Sequence, residues 1–484
     1  MLKGLLRNFG VLNVVQKAEV SKTAVVLVEK GAKAPTWTQT TEAALSDFEK
    51  LKSSWVYPSG HYERAYMAQV SKEDVLKKAC QSVTALKAKK VSRADVVFPS
   101  EFKEREIEIF ANTAILKNYE YKQKSKQQED EEDKEEETEL EEINLLHCAD
   151  IEPRNFEMSM HSARCALYAR DLVNTRGSVA TPEYIAHQAQ HLYSQYSDLI
   201  SIEVLQGEEL KEKGLNLLYS VGKAATSPPH LVVLKYNHPS ATSNLSLVGK
   251  GVTFDTGGLD IKPASAMDSM YCDKAGACTT LAAFKWAVEM QVPVNLTCAL
   301  ALAENSVSSK AYKPQDIITS LKGLTVEIGH TDAEGRLCLA DAMTYVQRNH
   351  KPDVMVDLAT LTGACVVALG DEMAGIFGND KKLVEEIIQS GEHYKEAIWH
   401  LPITKHHQDN IKGKVADLSN SGKTGYGGAS TAAAFLKNFV EKGVKWAHID
   451  IAGPAHSKKS WDQFPMGGTG FGVQTLTKFI SEFK

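Results

Sequence analysis

The sequence predicts an α/β protein of two parts: an N-terminal α/β domain, then a larger doubly wound α/β domain whose central mixed sheet is flanked by helices. Three observations carry this prediction. The chain has 484 residues, 43% of them apolar, which is long for one domain and rich enough for a sizeable core. Short apolar strands alternate with helical patterns in its first quarter, the order of an α/β unit. Past about residue 200 the strands become continuous apolar runs, as expected of strands covered by helices on both faces.

Taken in order, TAVVLVE (23–29) and ADVVFP (94–99) read as strands. KEDVLKKACQSVTALKAKK and FKEREIEIFANTAILKNYEYK read as helices. An acidic insert near 123–142 follows, then a strand, INLLHC. A helical pattern from Phe156 through SARCALYARDLVNT leads onward and breaks at Arg176-Gly177 and Thr181-Pro182. The expected boundaries are 1–155 for the first domain, 156–180 for a linking helix and 181–484 for the larger domain. Within the latter, EYIAHQAQHLYSQY is a helix, and SIEVLQ, HLVVLKYN, NLSLVG, NLTCALALA, VMVDLAT and WAHIDIAG are buried strands. GACTTLAAFKWAVEM, LCLADAMTYVQRN and STAAAFLKNFVEK are the helices that cover them. There is no repeat of fixed period. No apolar run reaches the ~18 residues of a membrane span.

Net charge is −6 but unevenly spread. The segment 129–142, EDEEDKEEETELEE, holds eleven acids and one lysine, so the remainder is about +4. Such a run reads as a solvated, mobile loop rather than a docking tail for a basic partner. Lys and Arg form no cluster interleaved with aromatics, which argues against nucleic acid as a partner. The eight cysteines form no CxxC pair and read as reduced core thiols of an intracellular protein. The start, MLKGLLRNFG, is basic and mildly amphipathic but short and poor in serine. The expected location is cytoplasmic, with mitochondrial targeting the alternative.

Polar residues gather just after the carboxyl ends of these strands, where open α/β sheets bind ligands. KGVTFDTGGLDIK follows NLSLVG and carries Lys250, Asp255 and Lys262. MDSMYCDKAG carries Asp273, and HTDAEGR carries Asp332, Glu334 and Arg336. If 330–336 is extended, Asp332, Glu334 and Arg336 point to one side, and the helix behind them starts near Leu337. On its own, DAEGR also fits a solvated turn before a helix, where acids are favoured. Four carboxylates in one cleft would repel unless cations neutralise them. Two divalent ions would balance them, and oxygen-rich ligation suits Mg²⁺, Mn²⁺ or Zn²⁺. Two such ions about 3.5 Å apart can share a water and turn it into a hydroxide nucleophile near neutral pH.

VGKGVTFDTGG, the IK that follows, Asp273 and TDAEGRL together resemble the two-metal leucyl aminopeptidases, the leucine or cytosol aminopeptidases of peptidase family M17. The resemblance extends through VMVDLATLTGA, STAAAFLKNFV and WAHIDIAG, covers about 155–484 and is weak before that. It implies a metal-dependent aminopeptidase that releases leucine-like residues from short peptides with a free N-terminus. Lys250, Asp255, Asp273, Asp332 and Glu334 fall where the family places its metal ligands, with Asp255 and Glu334 bridging and the Asp332 carbonyl available too. As a ligand Lys250 must be neutral. Lys262 would polarise the scissile carbonyl and stabilise the gem-diolate, and Arg336 would hold a bicarbonate-like proton shuttle. Met270, Thr360, Gly363 and Ala452 look like pocket positions. The implied cofactors are two divalent ions per subunit, Zn²⁺ or Mn²⁺ with Mg²⁺ or Co²⁺ possible, and bicarbonate. The implied assembly is a homohexamer, a dimer of trimers.

The sequence departs from the pattern at His330, where the family has Asn, and at Lys274-Ala275, where it has Met followed by another residue. The C-terminal GGTGFGVQTL differs too. Two other readings compete: a catalytically altered member kept as an interaction or structural protein, and a two-metal phosphoesterase. The second calls for a basic groove or His-rich ligation that the sequence does not offer.

Overall fold

The computed structural model describes residues 13–15, 23–29, 53–56, 64–99, 102–121, 140–146 and 151–483. The basic start and nearly all of the acidic insert lie outside them. The chain packs as two units, Met1–Leu167 with Lys459–Pro465, and Tyr168–Lys458 with Met466–Lys484.

The first unit holds a six-stranded sheet: β1 (Asn13–Val15), β2 (Thr23–Glu29), β3 (Ser53–Val56), β4 (Arg64–Val70), β5 (Arg93–Val97) and β6 (Glu142–Leu146). Their order is β1-β6-β5-β2-β4-β3, and among the described residues only the β3–β4 pair is antiparallel. Helices Val75–Ala88 and Glu104–Asn118 belong to this unit.

The second unit is built on eight strands. They are β7 (Ile200–Gln206), β8 (His230–Tyr236), β9 (Asn244–Asp255), β10 (Asn295–Asn305), β13 (Val354–Ala359), β14 (Met373–Gly378), β15 (Ala397–His400) and β17 (Lys445–Asp450). Between them, β11 (Ile317–Thr319), β12 (Thr325–Glu327) and β16 (Leu418–Ser419) make a small separate sheet. The large sheet runs β15-β14-β17-β13-β9-β10-β8-β7. Its centre, β17-β13-β9-β10, is parallel, while β8, β7 and the β14–β17 pair are antiparallel. The sheet is mixed, as the sequence predicts.

Burial explains why the central strands are legible. Every residue of β13 is buried, as are nearly all of β8, β9 and β10. On one face of β9, a Cβ on Gly249 would meet the Ala277 backbone at 2.5 Å, so the Ala275–Glu289 helix lies directly against the strand. On the other face, Val248 and Val252 share a core with Leu337, Leu339 and Met343 of the Gly335–His350 helix. All seven cysteines among the described residues are free and buried.

One irregularity in the centre matters for the site. Ala303 of β10 opposes Val252 of β9, yet Asn305 opposes Asp255. β9 therefore carries one extra residue there, a β-bulge. Lys250 and Asp255 are five apart, and strict alternation would send them to opposite faces. The bulge restores them to the same side.

Candidate metal centre and active site

At the carboxyl end of β9 and its neighbours, four acids and two lysines interlock. Lys250, almost wholly buried, places Nζ 2.8 Å from Asp273 Oδ1 and 2.8 Å from Glu334 Oε1. It also donates to the Thr360 carbonyl at 2.9 Å. Lys262 Nζ lies 2.8 Å from Asp255 Oδ2 and contacts Asp332 Oδ1. The two lysines thus link Asp273 to Glu334 and Asp255 to Asp332.

The gathering of Asp332 and Glu334 does not come from extended alternation. Residues 331–332 form a turn, with Ala333 N–H donating to the His330 carbonyl at 3.3 Å. The helix then begins at Gly335, so Arg336 sits in its first turn. Gly335 is required for space: a Cβ there would stand 2.4 Å from Lys250 Cε and 2.6 Å from Nζ. Gly257 and Gly258 take φ of +87° and +68°, a left-handed region that glycine enters without penalty. This lets Gly257 N–H reach Asp255 Oδ1 at 2.8 Å.

Two asparagines and a threonine absent from the sequence-level assignment hold this arrangement. Asn305, at the end of β10, donates to Asp255 Oδ1 at 2.8 Å and to the Thr331 carbonyl at 3.2 Å. Thr331 bonds the Gly257 carbonyl at 2.7 Å and accepts from Asp260 N–H at 2.8 Å. Asn420, fully buried, accepts from Gly329 N–H at 2.7 Å and donates to the His330 and Ala333 carbonyls at 2.7 and 3.2 Å. Its own carbonyl accepts from Arg336 Nη1 at 2.8 Å. No local sequence pattern marks Asn420, which follows the two-residue strand Leu418–Ser419 in the fold.

The electrostatics are those of a site short of positive charge. Four carboxylates against two ammonium groups leave −2 in a buried cleft. Burial raises Asp273 well above the usual carboxylate range, and Glu334 and Asp255 add to the rise. Burial and the neighbouring Asp255 raise Glu334 and Asp332 as well. For Lys250, burial acts downward, but Asp273, Glu334 and Asp255 outweigh it and hold it above its ordinary value. Lys262 is raised in the same way, against its own burial. Burial pushes Arg336 down to about 10.

A divalent pair fits these residues. Asp273 Oδ2 and Glu334 Oε2 are buried with no hydrogen-bond partner among the described residues, which is costly unless something else satisfies them. Oxygens of Asp255, Asp273 and Glu334 lie within 4.8 Å of one another. An oxygen-rich donor set with surplus negative charge suits hard or borderline divalent cations.

Of the four pocket candidates, Thr360 touches a candidate ligand directly. Met270 is half-buried on the short Met270–Cys272 turn just before Asp273. Thr360 donates its hydroxyl to Asp273 Oδ1 at 2.7 Å. Gly363 is exposed, with no atom within 4 Å of where a Cβ would sit. The Ala452 and Leu361 N–H groups both donate to Asp450 Oδ1 at 3.1 Å, joining the loops that follow β13 and β17.

The two departures lie in different surroundings. The His330 side chain is half exposed, its Nδ1 accepting from Asp332 N–H at 3.2 Å and lying 3.7 Å from Asp260. Lys274 is fully buried and points away from the acids. It donates to the carbonyls of Thr175 at 2.9 Å, Val173 at 3.2 Å and Tyr271. Burial pushes it down to about 8.

Residues 167–477 match the model of the cytosol aminopeptidase family, catalytic domain. The chain belongs to that family. A probable cytosol aminopeptidase of Persephonella marina is 44% identical over 313 residues, 65% of this chain and 62% of its own length. One from Geobacter sp. is 43% identical over 325 residues, 67% of this chain and 65% of its own. The chain thus spans somewhat under two thirds of these relatives. Among solved structures, the bottromycin maturation enzyme BotP in complex with Mn aligns with TM-score 0.83 and 29% identity over 95% of this chain and 99% of that one. The apo leucyl aminopeptidase of Trypanosoma cruzi aligns with TM-score 0.81 and 27% identity over 96% and 94%. The metal-ligand candidates and both catalytic candidates fall inside the matched segment. No helix among the described residues is long and apolar enough to cross a membrane.

Proposed function

We propose that this chain is a metal-dependent aminopeptidase that releases leucine-like residues from short peptides with a free N-terminus. One observation carries the reading: buried carboxylates with two unpartnered oxygens, bracketed by the cations of Lys262 and Arg336. Lys250, Asp255, Asp273, Asp332 and Glu334 would hold two divalent ions. Manganese is favoured by the BotP likeness, with zinc, magnesium and cobalt as alternatives. Bound there, the ions supply Lewis-acid polarisation and a water acidified toward hydroxide at neutral pH.

The chain's own residues do the rest. Lys262, partly exposed and held between Asp255 and Asp332, stands ready to donate to the carbonyl oxygen as it becomes the gem-diolate. A preplaced donor acts most strongly on charge that develops in the transition state. Arg336 keeps Nη1 on Asn420, while its buried Nε has no partner among the described residues. That free donor suits a bicarbonate-like anion able to move a proton. Met270, Gly363 and Ala452 border the space for the first side chain. Thr360, tied to Asp273, braces its wall.

The deciding experiment is hydrolysis of a leucyl peptide with and without N-acetylation, before and after chelation and Mn²⁺ restoration. Cleavage of the free peptide alone, lost on chelation and regained with metal, is expected. Cleavage of both forms, or phosphate-ester hydrolysis in their place, sinks the reading. A homohexamer and a cytoplasmic location belong to the same proposal; light scattering on the purified chain tests the first.

A further inference from the structure

We propose that Lys274 is a positioning residue of the metal centre: its buried ammonium ties the turn that carries Asp273 to the backbone at 173–175. The inference rests on the metal-centre reading above. Asp273 follows the Met270–Cys272 turn, its N–H bonded to the Met270 carbonyl at 3.3 Å. Its Oδ1 is taken by Lys250 and Thr360, while Oδ2 is left bare. The direction of that bare oxygen therefore depends on how the turn is held.

Lys274 holds it from behind. Its ammonium meets three carbonyls, one from the turn itself (Tyr271) and two from residues 173 and 175. Val173 is in the last turn of the Pro153–Asn174 helix, where carbonyls lack intrahelical partners and a cation is favoured. Three donors and three converging acceptors make a complete socket. The Arg176 guanidinium over the Tyr271 ring at 4.0 Å, and Tyr271 Oη beside His456 Nε2 at 2.9 Å, pin the same turn from its exposed side.

A wholly buried lysine with no carboxylate on its Nζ among the described residues is expensive to keep. A methionine, which the resemblance places here, would fill the space without that cost. Groups that orient metal ligands from outside the coordination sphere commonly govern affinity about 10- to 100-fold.

The test is titration of the full-length chain with Mn²⁺, read by the electron paramagnetic resonance of the free ion and by calorimetry. Wild type is expected to bind two ions per chain, and Asp273→Asn identifies the class that Asp273 serves. Lys274→Met is expected to weaken that class about tenfold or more and leave the other within about twofold. Lys274→Gln, which keeps two N–H donors, falls between them and decides the matter if Lys274→Met does not fold. A merely structural lysine would lower the melting temperature and move neither class. Two-ion wild-type binding with both variants unchanged overturns the inference alone. So does tighter binding in the variants, since relief of charge repulsion would then dominate. A wild-type chain that binds no Mn²⁺ overturns the metal-centre reading and this inference with it.

Discussion

The Asn420 carbonyl accepts from Arg336 Nη1 at 2.8 Å, while the same residue's side chain bonds both ends of the 329–333 turn. One buried asparagine thus fixes the turn that carries Asp332 and the cation that follows it. Asn420→Ala takes its side-chain partner from the part-buried backbone groups of Gly329, His330 and Ala333, and a fully buried group left unpaired costs about 1–3 kcal/mol. The expected outcome is a loss of about 3 kcal/mol in denaturant unfolding and a fall in kcat.

Gly335→Ala sets two effects against each other. Alanine favours a helix by about 1 kcal/mol over glycine, but the added Cβ would collide with Lys250 Cε at 2.4 Å. Lys250 must move, and its contacts to Asp273 and Glu334 go with it. The variant should retain its helical circular dichroism yet lose more than about 100-fold in peptidase activity, beyond what outer partners of a metal site usually cost. Wild-type turnover would show that Lys250 need not occupy that place.

Lys262→Ala separates catalysis from metal binding. Loss of a donor to the developing oxyanion costs about 10²–10³ in kcat. Removing a cation from Asp255 and Asp332 makes the acids more attractive to divalent ions. Lower kcat with equal or tighter Mn²⁺ binding is therefore expected; loss of metal would assign Lys262 a structural part instead.

His448 provides a pH signature of its own, with Asp357 its main partner and Asp450 and Arg336 also acting on it. It is fully buried, with Nδ1 2.6 Å from Asp357 Oδ1. Burial acts to lower it, but the Asp357 carboxylate outweighs burial and raises it above 6.5. The folded state then keeps a proton that the unfolded chain begins to release near pH 6.5. Its stabilisation is full below that pH and is lost as pH rises through the folded value. Melting temperatures from pH 6 to 9 should show wild type losing its advantage over Asp357→Asn as pH rises. A constant difference would mean that His448 carries no extra proton in the fold.

Much of this was legible in the sequence, for physical reasons. Strands β8, β9, β10, β13 and β17 are buried on both faces, so apolar residues fill neighbouring positions instead of alternating with polar ones. β15 is short and presents Trp399 and His400 to solvent, so it lacks the apolar run that marks the central strands. β14, MAGIFG, is short, with one glycine inside it and another at its end. DAEGR on its own also fits a solvated turn, and the acids were legible because several follow buried strands together in motifs that resemble one family. The supports were not, since Asn305 and Asn420 act on residues 26 to 91 positions away and follow no local pattern. The extended reading of 330–336 failed because the helix begins at Gly335, ahead of Leu337, and a turn precedes it.

The extra residue in β9 makes the strand a counted spacer. Val252 and Asp255 span three steps where Ala303 and Asn305 span two, and that mismatch turns Asp255 toward Lys250. Chain length at this point specifies the centre as firmly as the identity of its acids. A deletion between Val252 and Asp255 would keep each of the five candidate ligands in the sequence while rotating one of them to the wrong face. Family membership read from motifs would survive such a change, and the chemistry would not.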